Sequence, residues 1–114
     1  MGKVYTVLLN GNIICNNVFS AETFYERLKG LMFSPSDSKR FLLIGNCNSV
    51  HTCFMKYNID VVCLDNNFQI IKIFKSVKPF RFVLPQKKVC HIFEIPSDCK
   101  FNIDIGDILK FIQK

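Results

Sequence analysis

The strongest constraint on this chain is a succession of short apolar, β-branched runs broken by turn chemistry at close intervals. Residues 3–9 and 12–19 are separated by Asn10-Gly11, the dipeptide that best tolerates the two positive φ angles of a type I′ turn. Further runs follow at 40–45, 49–54, 59–64, 68–75, 88–95 and 108–112. Between them stand Asn46-Cys47-Asn48, Asp65-Asn66-Asn67, a corner from Pro79 to Pro85, Pro96-Ser97-Asp98 and Ile105-Gly106-Asp107. These breaks are rich in residues that bond their own backbone or accept unusual φ. Eight short strands with such turns predict a mainly β domain, an antiparallel sandwich or small barrel.

One stretch has helical spacing. Ala21, Phe24, Tyr25, Leu28, Leu31 and Met32 fall on a single stripe, predicting a short amphipathic helix over 21–32. Ser20 is placed to cap it and Glu22 sits in its first turn, facing the positive helix end. Ser34-Pro35 ends it.

Composition narrows the class. An apolar fraction of 49% and twelve Phe in 114 residues exclude disorder and suit one domain spanning 1–114. No stretch is long and apolar enough for a membrane-spanning helix. The abundance of Lys, Asn, Ile and Phe matches an AT-rich genome. Six cysteines would allow three disulfides, but no signal peptide opens the chain and most of the cysteines sit inside apolar runs. Reduced, buried thiols in a cytoplasmic protein are therefore expected. The net charge of +6 comes entirely from residues 66–93, where Lys72, Lys75, Lys78, Arg81, Lys87 and Lys88 meet no acidic residue.

Charged residues on apolar strand faces are the sharpest chemical signal. Asp60 alternates onto the face of Val62 and Leu64, and Glu94 onto that of Cys90 and Ile92. If those faces point inward, each carboxylate needs a cation or several donors. Arg27, at the edge of the helical stripe, and Arg81, beyond Pro79, are the candidate partners. His51 and His91 invite metal or nucleophile readings, but no Cys-x-x-Cys pair occurs and a fourth zinc ligand would be distant. No metal or cofactor is expected. The 72–88 segment interleaves Phe74, Phe80 and Phe82 with cations, as single-strand binders do. Lysines guarding a sheet edge account for it better, and no specific nucleic-acid partner is expected.

Several blocks together resemble a known family. Arg27-Leu28-Lys29-Gly30-Leu31-Met32-Phe33, His51-Thr52-Cys53-Phe54-Met55, Ile59-Asp60-Val61-Val62-Cys63-Leu64-Asp65, Val77-Lys78-Pro79-Phe80-Arg81, Phe93-Glu94-Ile95-Pro96 and Ile105-Gly106-Asp107 are similar, in order and gaps, to the motifs of domain of unknown function 192. This prokaryotic family, also called uncharacterised protein family 0127, is matched over about 4–111. The resemblance implies a jelly-roll sandwich or barrel with one short helix. It singles out Arg27, Gly30, Leu31, Met32, Thr52, Met55, Asp60, Pro79, Arg81, Glu94, Gly106 and Asp107. It supplies no reaction; some members lie beside pilus or secretion genes.

Taken together, the sequence predicts a non-enzymatic binding or accessory protein. A polar cluster of Arg27, His51, Thr52, Asp60, Arg81 and Glu94 would hold a small or acidic ligand or a protein partner. The alternative is hydrolase-like acid–base chemistry by His51 with Asp60 or Glu94. A third reading is weak nucleic-acid binding through 72–88.

Overall fold

The structure, a computed structural model, describes residues 3–21, 41–52 and 57–114. The elements in chain order are β1 (Val4–Leu9), β2 (Asn12–Ala21), β3 (Phe41–Gly45), β4 (Val50–His51), β5 (Ile59–Leu64), β6 (Ile70–Val77), β7 (Phe82–Val83), β8 (His91–Pro96) and β9 (Leu109–Gln113). Each of the eight expected runs overlaps one of these strands. The ninth, β7, lies within the corner expected as a turn and pairs antiparallel with β4.

The other seven strands form one sheet in the order β6-β5-β8-β3-β2-β1-β9. Asn10 and Gly11 turn β1 into β2 with φ of 53° and 82°, the two positive values a type I′ hairpin needs. All pairings in the sheet are antiparallel except β2 with β3, where Val18 faces Phe41 and Ala21 faces Ile44. Parallel neighbours need a long crossover, here the 22–40 stretch outside the described residues. The described strands thus form a mixed seven-stranded sheet and the two-stranded β4–β7 sheet, in place of an all-antiparallel arrangement.

The helix predicted over 21–32 lies outside the described residues except for Ala21, which closes β2. Ser20, expected to cap that helix, is instead a strand residue. Its N–H donates to the Lys3 carbonyl at 2.8 Å, and its Oγ accepts from the Lys3 N–H at 2.9 Å.

Strand alternation sorts the core into two faces. Val7, Val18, Leu43, Val62, Leu64, Ile70, Phe93, Ile95 and Leu109 form one cluster. Because it gathers residues from all seven strands, including both ends of the sheet, this face is the inside of a curl. Leu42, Ile44, Ile59, Val61, Cys63 and Ile92 point to the outer face, where Tyr57, Val83 and Val89 cover them.

The curl brings β6 and β9 together. Gln69 bridges Ile108, Gly106 N–H donates to the Ile70 carbonyl at 2.7 Å, and Ile70 N–H donates to the Asp107 carbonyl at 2.8 Å. Gly106 sits at φ +100°, where side-chain-bearing residues are strained, and Asp107 Oδ2 accepts the Asp104 N–H at 2.8 Å. Space is open around a Cβ at 106, so Gly106→Ala should cost only the backbone penalty, about 1–2 kcal/mol. Urea denaturation checks this; an unchanged midpoint would mean the turn relaxes freely.

Candidate functional site

Of the residues expected to form one polar cluster, the described side chains of Thr52, Asp60, Arg81 and Glu94 are distributed over the fold. Asp60 pairs with Ile95, and Glu94 pairs with Val61 across the same ladder. Adjacent ladder positions point to opposite faces. Asp60 therefore points to the inner face beside Val62, and Glu94 to the outer face beside Leu42. One cavity cannot hold both carboxylates, because a strand offset of a single residue reverses the side-chain direction.

Asp60, only 7% exposed, lies opposite an irregularity in β6, where Ile59 faces Val77 but Val61 faces Phe74. The extra residue kinks the chain at Ser76, whose φ is 51°. Its N–H donates to Asp60 Oδ1 at 2.9 Å, and Ser97 Oγ donates to the same oxygen at 2.9 Å. Lys75 Nζ stands 3.7 Å from Oδ2 but is 66% exposed, so the two donors rather than the cation hold the charge. A cleft of about 160 Å³ opens here, bordered by Asp60, Lys75, Ser97, Lys100 and Phe101.

Neither serine was signalled by the sequence, since strand patterning does not show which turn will face a given carboxylate. Asp60→Ala should destabilise the fold by about 3 kcal/mol, because it takes a charged acceptor away from both the Ser76 N–H and the Ser97 hydroxyl. Lys75→Ala should cost less than about 1 kcal/mol. Equal losses in a denaturation series would overturn that division of roles.

Arg27, Gly30, Leu31, Met32 and Met55 lie outside the described residues. So does the side chain of His51, whose backbone pairs with Phe82. Glu94 is 1% exposed.

Thr52 and Arg81, by contrast, are brought together. Thr52 is fully buried and is bound to the corner that begins at Lys78. Its Oγ1 donates to the Lys78 carbonyl at 2.6 Å and accepts the Arg81 N–H at 2.8 Å. Its own N–H donates to the Arg81 carbonyl at 2.8 Å, and its carbonyl accepts the Phe80 N–H at 3.1 Å. These bonds hold Phe80 at φ 62°, a strained value for an aromatic residue.

The corner so fixed shows apolar side chains to water. Phe80, Phe82 and Leu84 are 64%, 70% and 69% exposed, while Val83 between them turns inward at 6%. Together they present on the order of 300 Å² of apolar surface, comparable to the largest patch on an ordinary monomer. Lys78, Arg81, Lys87 and Lys88, before, among and after them in the chain, are exposed too. The sequence showed the interleaving of Phe and cations. It could not show which rings face out.

Cys15, Cys47, Cys63 and Cys90 are free thiols. Burial pushes the Cys63 thiol up to about 11, which suits an inert core residue. Among the described residues, no group of three or more His, Cys, Asp or Glu could hold a metal ion, and no helix is long and apolar enough to cross a membrane.

His91 has a structural role. Its Nδ1 accepts the Asn46 N–H at 3.2 Å, and its ring stacks on Phe68 with centroids 4.4 Å apart. Burial lowers its pKa, partly offset by the Asp65 carboxylate. The folded protein therefore binds this proton less tightly than the unfolded chain does. The resulting stability is present above the unfolded value near 6.5 and is lost as pH falls through the lowered folded value. Unfolding midpoints should fall between pH 8 and pH 5, and less so in His91→Phe. An identical slope in that variant would place the titration elsewhere.

Comparison with known proteins agrees with this fold. Crystal structures of a protein of unknown function from Novosphingobium aromaticivorans and of a candidate transcription regulator from Sinorhizobium meliloti superpose with TM-scores of 0.72 and 0.74. They share 17% and 14% identity, covering 94% and 96% of this chain and 83% and 92% of theirs. A UPF0127 protein of Thermococcus sibiricus is 31% identical over 85% of this chain and 67% of its own length. One from Pyrococcus horikoshii is 34% identical over 80% of this chain and 84% of its own. The DUF192 family model, described as an uncharacterized ACR, matches residues 7–111. With both the family model and these archaeal relatives spanning most of its length, the chain belongs to the prokaryotic DUF192/UPF0127 family.

Proposed function

We propose that this chain is a non-enzymatic binding module that presents the rigid corner from Lys78 to Lys88 to an anionic partner. The observation that carries this is the pinning of the corner by Thr52. A fully buried threonine makes four hydrogen bonds that hold a strained Phe80 in water. Folding gains nothing from exposing Phe80, Phe82 and Leu84, whereas a partner gains a preorganised apolar surface flanked along the chain by cations. Two of the blocks that carry the family resemblance, around Thr52 and around Pro79 to Arg81, meet here. An accessory role beside pilus or secretion machinery is one setting for such a module.

The acid–base alternative has less to support it. Asp60 Oδ1 is engaged by two donors, and Glu94 is buried on the other face of the sheet. Nucleic acid is a second anionic partner to weigh, given the cations, the exposed rings and the Sinorhizobium neighbour described as a transcription regulator.

Retention on immobilised heparin tests the reading. Wild type should be retained at low salt, with retention falling steeply as salt rises. Reversing Lys78, Arg81, Lys87 and Lys88 to Glu should abolish retention, whereas reversing Lys110 and Lys114, on and beyond β9, should not. Equal effects of the two sets would overturn the assignment.

A further inference from the structure

Resting on that reading, we infer that the anionic partner is the headgroup surface of an acidic phospholipid bilayer, into which Phe80, Phe82 and Leu84 insert. The arrangement of charge around the apolar tip favours lipid over other polyanions. Lys78 precedes the three apolar side chains, Lys87 and Lys88 follow them, and Arg81 lies among them. No acidic residue occurs from Asn66 to Phe93, so nothing on this segment repels a negative surface. Insertion of such a tip to the headgroup–acyl boundary places its cations among the phosphates.

Single-stranded nucleic acid asks for something different. It needs flat π-faces lining a groove along which bases stack. Leu84 has no such face, and side chains about two-thirds exposed stand out rather than line a groove. A protein partner would need a pocket shaped to all three side chains, whereas a bilayer accepts them in any packing. The fixed backbone matters here, because apolar groups already held in water lose little freedom on insertion. The bonds from Thr52 and the inward Val83 hold the tip in that state.

The test uses co-flotation with vesicles of phosphatidylcholine alone and of phosphatidylcholine with phosphatidylglycerol. The full chain should float with the mixed vesicles and not with the neutral ones. Phe80→Ala and Phe82→Ala should each weaken flotation at least about tenfold, the equivalent of burying one aromatic side chain. The chain has no tryptophan, so Phe82→Trp reports insertion directly. Its emission should shift to the blue on mixed vesicles and be quenched by lipids brominated along the acyl chain.

Vesicle binding without a blue shift, or without dependence on Phe80 and Phe82, would overturn insertion. Heparin retention without vesicle binding, together with quenching of Phe82→Trp by single-stranded oligonucleotides, would make nucleic acid the partner and leave the binding-module reading standing. Failure to bind heparin, oligonucleotide and vesicles alike would overturn both.

Discussion

Every side chain of β5, from Ile59 to Leu64, is buried, so this strand must be covered on both faces and paired on both edges. The rest of the fold answers that requirement. β6 and β8 flank it, the curl of the sheet closes over Val62 and Leu64, and Tyr57, Val83 and Val89 cover Val61 and Cys63. Each buried aliphatic side chain contributes about 1.5–3 kcal/mol, which leaves little tolerance for a charge among them. Asp60 is accommodated because β6 bulges at Ser76 and the turn at Ser97 supplies a hydroxyl. The carboxylate that looked like a ligand-binding group thus has a local structural role: it holds the bulge where β6 leaves its ladder.

The opposite arrangement occurs at the corner. There a buried polar residue, Thr52, is saturated by backbone groups, and the apolar side chains are the ones in water. Positive φ at Ser76, Phe80 and Lys88 marks where the chain bends sharply around this region. Strain of this kind persists only where the surroundings over-determine it, and the hydrogen bonds of Thr52 supply that determination at Phe80. A hydrophobic core cluster on one side of the chain and a solvent-facing tip on the other are separated by a single residue, Val83.

Much of the fold was legible in residue patterns because strands and tight turns are local. Asn10-Gly11 could only be a turn, and the apolar runs announced their strands to within a few residues. Legibility ended where distant pairing decides. Ser20 reads equally well as a helix cap and as the penultimate residue of a strand, until β3 pairs beside it and draws β2 on to Ala21. Phe82 and Val83 read as part of a proline corner until β4 offers them a partner. At the site, the pattern correctly put Asp60 and Glu94 on apolar faces. It could not say that the two faces were different ones, because that depends on the register between β5 and β8.

The sequence by itself therefore determined a mainly β chain of this family, the positions of its strands and hairpin turn, and a basic, phenylalanine-rich stretch, since each follows from local chemistry or motif. Tertiary structure alone decided that the sheet is mixed and curled, that Asp60 and Glu94 face apart, and that Phe80, Phe82 and Leu84 point to water. Those outcomes depend on long-range register and on hydrogen bonds from Thr52 to residues more than twenty-five positions away, which no local pattern encodes.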